Sequence, residues 1–194
     1  MYQWTRSKVV YTNPTKTGYT DPVIDTSWEA IDGIQVGGRN LLTRTGDLSS
    51  WTNAPEGSGE FIGSNKFTRV NYTGKERAFS VYWRPRPKLI EGESYTLSAW
   101  VYVDSSIPLS GGDDFFIRVR NDELNKTIDI AIVRINTLEK DKWVRVSAVG
   151  VVPNGYNTFA QLACALGRNG LIYFKEVKLE KGSKATDWSP ALED

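Results

Sequence analysis

From Gly38 onward the chain holds hardly a window of helical periodicity. Short runs of alternating apolar and polar residues are divided by clusters of turn formers: PEGSG, GSN, YTGKE, RPRPKLIEGE, SSIPLSGGDD, NDELNK, PNGYN and GRNG. Alternation with period two, punctuated this often, leaves a sandwich or a barrel as the fold. The spacing predicts about nine strands in two antiparallel sheets. The candidates are residues 40–43, 60–67, 78–83, 94–103, 114–120, 127–135, 144–151, 157–165 and 171–179.

At 194 residues the chain is long enough to bury a core without covalent staples. The single cysteine, Cys164, has no partner within the chain and sits in the apolar run NTFAQLACALG, where it reads as a small buried hydrophobe. Lys and Arg number 24 against 23 acidic residues, so no global field favours nucleic acid or an anionic membrane. No apolar stretch approaches the roughly 20 residues that span a bilayer, and the N-terminus lacks the hydrophobic run of a signal peptide. Nucleic acid and membrane insertion are therefore not expected. The chain contains no histidine, which removes Ser-His and Cys-His nucleophiles, imidazole bases and His-ligated zinc. Carboxylate chemistry, calcium coordination and binding survive.

Residues 1–37 read differently from the rest. Trp4 to Thr12 alternates as a strand, and Asn13, Pro14 and Gly18 mark a turn before a second strand reaching Ile24, which predicts a short hairpin. Asp25, Thr26 and Ser27 offer caps for a helical turn at SWEAI. Gly33, Gly37 and Gly38 then form a hinge into residues 38–194.

Four segments carry a resemblance: GRNLLT (Gly38 to Thr43), ESYTLSAWVYV (Glu93 to Val103), KWVRVSAVGVVP (Lys142 to Pro153) and the closing GLIYFKEVKLEKGSKATDWSPALED (Gly170 to Asp194). In order and spacing they resemble the jelly-roll, galactose-binding-like carbohydrate-binding modules carried on tail and baseplate proteins of bacteriophages of Gram-positive hosts. The resemblance implies an all-β fold, a two-sheet antiparallel β-sandwich (jelly roll) over 38–194. Residues 1–37 would be a linker and short hairpin, the remnant of a preceding tail-protein domain. It also implies work on the virion at the host cell surface, with cell-wall polysaccharide and other tail or baseplate subunits as partners.

Alternate residues of a strand point to opposite faces, so each segment divides into a core set and an outer set. In SYTLSAWVYV the core set is Tyr95, Leu97, Ala99, Val101 and Val103, and the outer set includes Trp100 and Tyr102. Two aromatics among small hydroxyl residues suit a pyranose ring, whose C–H face stacks on an indole. Trp100 lying under a loop as a second small core is the competing reading. In DFFIRVRN, Phe116, Arg118 and Arg120 fall outward. The arginine forks match vicinal hydroxyls or a phosphate, or else pair with Asp122 or Glu123. Tyr82 in AFSVYWRPRP and Gln161 in NTFAQLACALG complete the candidate sugar contacts. Trp143 and Trp188 read as packing residues and Trp51 as part of a loop. Seven Trp and nine Tyr exceed the needs of one core, which places some of them on a binding surface.

The acidic residues cluster in turns, away from any two-carboxylate cleft, so no catalysis is expected. Members of the resembled family hold a structural calcium near the first and last strands, which here implies Asp47, Glu60 and Asp187 as oxygen ligands. No cofactor is otherwise required. The sequence thus predicts a non-catalytic carbohydrate-binding domain of a phage tail or baseplate protein. The alternative is a structural spacer or oligomerisation domain that binds no sugar.

Overall fold

The computed structural model describes residues 4–5, 8–10, 17–19, 23–24, 38–48, 51–53, 60–62, 65–71, 73, 81–84, 86–111, 114–157 and 160–192; before residue 38, and at 51–53, 60–62 and 81–82, the description is of the backbone. The chain divides into two units, Met1–Gln35 and Val36–Asp194. In the first, β1 (Trp4–Thr5) has β4 (Val23–Ile24) as its antiparallel partner. Between them in sequence, β2 (Lys8–Val10) pairs with β3 (Thr17–Tyr19), so the pairings nest as in one interrupted hairpin. The expected helical turn at SWEAI lies outside the described residues.

The second unit is an antiparallel β-sandwich. Its strands are β5 (Trp51–Asn53), β6 (Glu60–Ile62), β7 (Lys66–Arg69), β8 (Val81–Trp83), β9 (Ser94–Val103), β10 (Asp114–Asn121), β11 (Lys126–Arg134), β12 (Trp143–Val151), β13 (Ala160–Ala165) and β14 (Gly170–Lys181). Among the described residues they form two five-stranded sheets, ordered β12-β9-β14-β7-β6 (sheet I) and β11-β10-β13-β8-β5 (sheet II). The chain passes repeatedly between the two sheets.

Alternation decides the core. Leu97, Ala99 and Val101 of β9 meet Phe115, Ile117 and Val119 of β10, all fully buried. The rings of Phe115 and Phe174 approach to 4.9 Å across the two sheets. Each of these side chains except Ala99 contributes about 1.5–3 kcal/mol on burial. Two bulges keep the alternation in phase. Glu176 of β14 (φ 52°) resets the register between Lys175 and Lys178, so Phe174 and Val177 both reach the core while Lys178 and Glu180 face outward. Ala131 of β11 (φ 50°) does the same opposite Phe115 and Ile117.

Three local expectations are corrected. Residues 40–43 are not a strand, because the buried Asn40 side chain takes over backbone pairing: its Oδ1 accepts from Leu42 N and Leu179 N, and Nδ2 donates to Thr45 Oγ1 and Val177 O. Residues 60–67 divide into the hairpin of β6 and β7, with Glu60 opposite Thr68. Trp51 belongs to a strand, paired with Trp83, rather than to a loop.

Candidate functional site

The outer face of sheet I is built from register rows. In one row Trp143, Tyr102, Tyr173 and Lys66 are successive cross-strand partners, and in the next stand Arg145, Trp100 and Lys175. All except the exposed Lys175 are half-buried. Tyr102 packs 5.7 Å from the Trp143 ring and 5.8 Å, edge-on, from Tyr173. The Lys175 ammonium lies 4.5 Å from the Trp143 centroid and 5.6 Å from that of Trp100, with the Arg145 guanidinium 6.0 Å from Trp100. Aromatic faces ringed by donors can stack sugar rings and hydrogen-bond their hydroxyls.

Burial and nearby charge hold the Tyr102 phenol above its usual range: desolvation first, then Asp141, Asp104 and Tyr173. It is therefore protonated, and available as a donor, at neutral pH.

The other half of this face is closed. The segment 182–190 crosses β9 and β14, with Thr96 Oγ1 donating to Gly182 O at 2.7 Å. Beneath it the buried Lys178 donates from Nζ to Thr186 Oγ1 (2.5 Å) and Asp187 O (2.8 Å), 3.3 Å from Glu180 Oε2. Glu180 in turn accepts from Thr186 N and Oγ1. Arg145 Nη2 donates to Thr186 O, joining this strap to the aromatic rows. Trp188 closes the unit through Nε1 to Thr45 Oγ1.

Sheet II places its sequence-predicted residues on the opposite side of the core. Arg118 is bidentate to Asp129 (2.5 and 2.8 Å) and opposite Gln161, which is 6% exposed. Arg120 pairs with Asp122 and donates to Asn125 Oδ1 at 2.7 Å. Phe116 is no surface platform: it is buried with Ala163 and Ala165 in a small second cluster, under the Arg118 guanidinium at 5.4 Å. Tyr82 is the cross-strand partner of Ala163, and its side chain lies outside the described residues. The second small core thus surrounds Phe116 rather than Trp100.

The expected single face bearing both aromatics and arginines is therefore divided. Trp100 and Tyr102 stay together, and Arg118, Arg120 and Gln161 form a separate row behind them. Trp143, Tyr173, Arg145, Lys66 and Lys175 join the aromatic set and were not expected there. Alternation in KWVRV and GLIYFKEV already separates Trp143, Arg145, Tyr173 and Lys175 from their core neighbours; cross-strand register, which sequence does not display, brings them to Tyr102.

The implied calcium ligands are not brought together among the described residues. Asp47 and Asp187 are exposed, the Glu60 side chain lies outside the described residues, and no group of three or more acidic, Cys or His side chains gathers among the described residues. Where the last strand meets the strap, an oxygen cluster exists, but the Lys178 ammonium already fills its cationic position.

No protein-family model and no curated protein matches the chain. Structural comparison places the fold beside carbohydrate-binding modules. It is similar to the CBM22-1 and GH10 modules of an endo-1,4-β-D-xylanase 10B of Clostridium thermocellum, complexed with xylohexaose, with a TM-score of 0.50 and 13% identity over 78% of this chain and 30% of that one. A CBM4 structure matches with a TM-score of 0.50 and 14% identity over 77% of this chain and 97% of that one. The tripod from the baseplate of bacteriophage Tuc2009 aligns with a TM-score of 0.49 and 15% identity over 100% of this chain and 68% of that one. The first two likenesses are of fold: the chain shares the β-sandwich of these modules.

Proposed function

We propose that residues 38–194 form a non-catalytic carbohydrate-binding domain of a phage tail or baseplate protein that attaches the virion to the cell-wall polysaccharide of a Gram-positive host. The observation that carries this reading is the half of the sheet I outer face left uncovered by the strap, where Trp100, Tyr102, Trp143 and Tyr173 stand together among cationic donors. A β-sandwich shared with carbohydrate-binding modules supports it. The phage and host assignments rest on the sequence resemblance. Residues 1–37 are proposed to be the end of a preceding tail domain, through which other tail or baseplate subunits are reached.

A shallow face binds weakly, and many copies on one particle multiply avidity without new contacts. The test is labelling of whole Gram-positive cells by the chain fused to a fluorescent protein and displayed multivalently, before and after chemical stripping of wall polysaccharide. Labelling that stripping removes is expected. Cells left dark by the multivalent fusion would replace this reading with a structural spacer.

A further inference from the structure

We infer that the glycan taken by the Trp100 and Tyr102 face carries anionic groups, carboxylates or phosphodiesters, which Lys66 and Lys175 receive. This rests on the carbohydrate-binding reading of that face and names the class of glycan.

On the outer faces of both sheets, most cations are committed. Arg118 is held by Asp129, Arg120 by Asp122, Lys178 by Glu180, and Arg145 by Thr186 O, with Glu176 at 3.8 Å. Lys66 and Lys175 differ: among the described residues neither has an ion pair or a hydrogen bond. Their contacts are aromatic, Lys175 against Trp143 and Trp100, and Lys66 5.7 Å from the Tyr173 centroid. An ammonium resting on ring faces has exchanged part of its water shell for a quadrupole that satisfies none of its three N–H donors. An oxyanion arriving with the ligand supplies the missing acceptor, and a charge-assisted hydrogen bond is about twice as strong as a neutral one.

Placement adds direction. Lys66 is the direct cross-strand partner of Tyr173, and Lys175 follows two residues along the same face, so the two ammoniums flank Tyr173. Of the carboxylates, Glu176 faces Arg145 at 3.8 Å, and two others lie beyond the Tyr102 end. Asp104 and Asp141 are occupied there by turn N–H groups of Ser106 and Ser105, at 2.9 Å each. The site is thus asymmetric: a sugar stacked on the aromatic rows turns its acidic substituent toward the lysines and away from Asp104 and Asp141.

The experiment uses the whole 194-residue chain in affinity electrophoresis. The probes are Gram-positive wall polysaccharide separated by anion exchange into retained and unretained fractions, together with polygalacturonate and its methyl ester, which share rings and differ in charge. Wild-type protein is expected to bind an anionic probe at least about tenfold tighter than its neutral counterpart. Added salt should erode that preference. K66Q/K175Q should lose the preference for the anionic probe while keeping the melting temperature. Equal binding of charged and neutral probes, or a preference surviving in K66Q/K175Q, overturns the inference; the carbohydrate reading then stands if W100A still weakens binding. Binding to no probe at all, or binding that W100A leaves intact, overturns both.

Discussion

Lys178 and Glu180, two residues apart on the outer face of β14 and both excluded from solvent, hold opposite charges 3.3 Å apart beneath the strap of residues 182–190. Removing one partner of such a pair leaves a buried charge uncompensated, at a cost of about 3–5 kcal/mol. K178M and E180Q should each lower the melting temperature sharply, and the double variant should recover part of the loss, as a double-mutant cycle by denaturant titration would report. Because an ammonium fills the cationic position, calcium or a chelator should leave the wild-type transition where it is. A melting temperature that falls on chelation would restore the case for a metal.

Gly150 and Ala131 bring the edges of the two sheets together. A Cβ on Gly150 would stand 2.6 Å from Ala131 N and 2.7 Å from Ile130 Cβ, closer than van der Waals contact allows. G150A should therefore destabilise by about 1–3 kcal/mol, the usual cost of overpacking. Chemical denaturation measures it. An unchanged midpoint would mean that the edge of β12 moves freely.

Acidification should act through Asp141. The Ser105 hydroxyl and then its backbone N–H bond this carboxylate and hold its pKa below the ordinary range. A carboxyl whose folded pKa is depressed stabilises the fold above its unfolded pKa, about 3.9, and loses that contribution as pH falls through the folded value. Stability curves at neutral and acid pH should converge for wild type and D141N, with D141N the less stable at neutral pH. A constant gap across the range would contradict the assignment.

Much of the fold is legible in the sequence because a two-residue period needs no partner to be read. SYTLSAWVYV and DFFIRVRN assign their own inner residues, and Leu97, Val101, Phe115 and Ile117 are buried as alternation requires. Sheet membership is not legible that way. Trp100 and Arg118 both read as outward, yet β9 and β10 lie in different sheets, and outward then means opposite directions. Bulges at Glu176 and Ala131 are equally silent, since neither is a glycine advertising a positive φ. Asn40 shows a third limit: an asparagine in GRNLLT looks like strand or turn, and its substitution for backbone partners appears only when residues more than a hundred positions away arrive beside it.

Ligand should meet the aromatic rows of sheet I, and titration of wall polysaccharide against paired variants locates it. W100A/Y102A should weaken binding by about 2 kcal/mol or more, roughly 30-fold, with little change in melting temperature, while R118A/Q161A binds as wild type. Full affinity in W100A/Y102A together with its loss in R118A/Q161A would contradict the account and move the site to the face of β10 and β13.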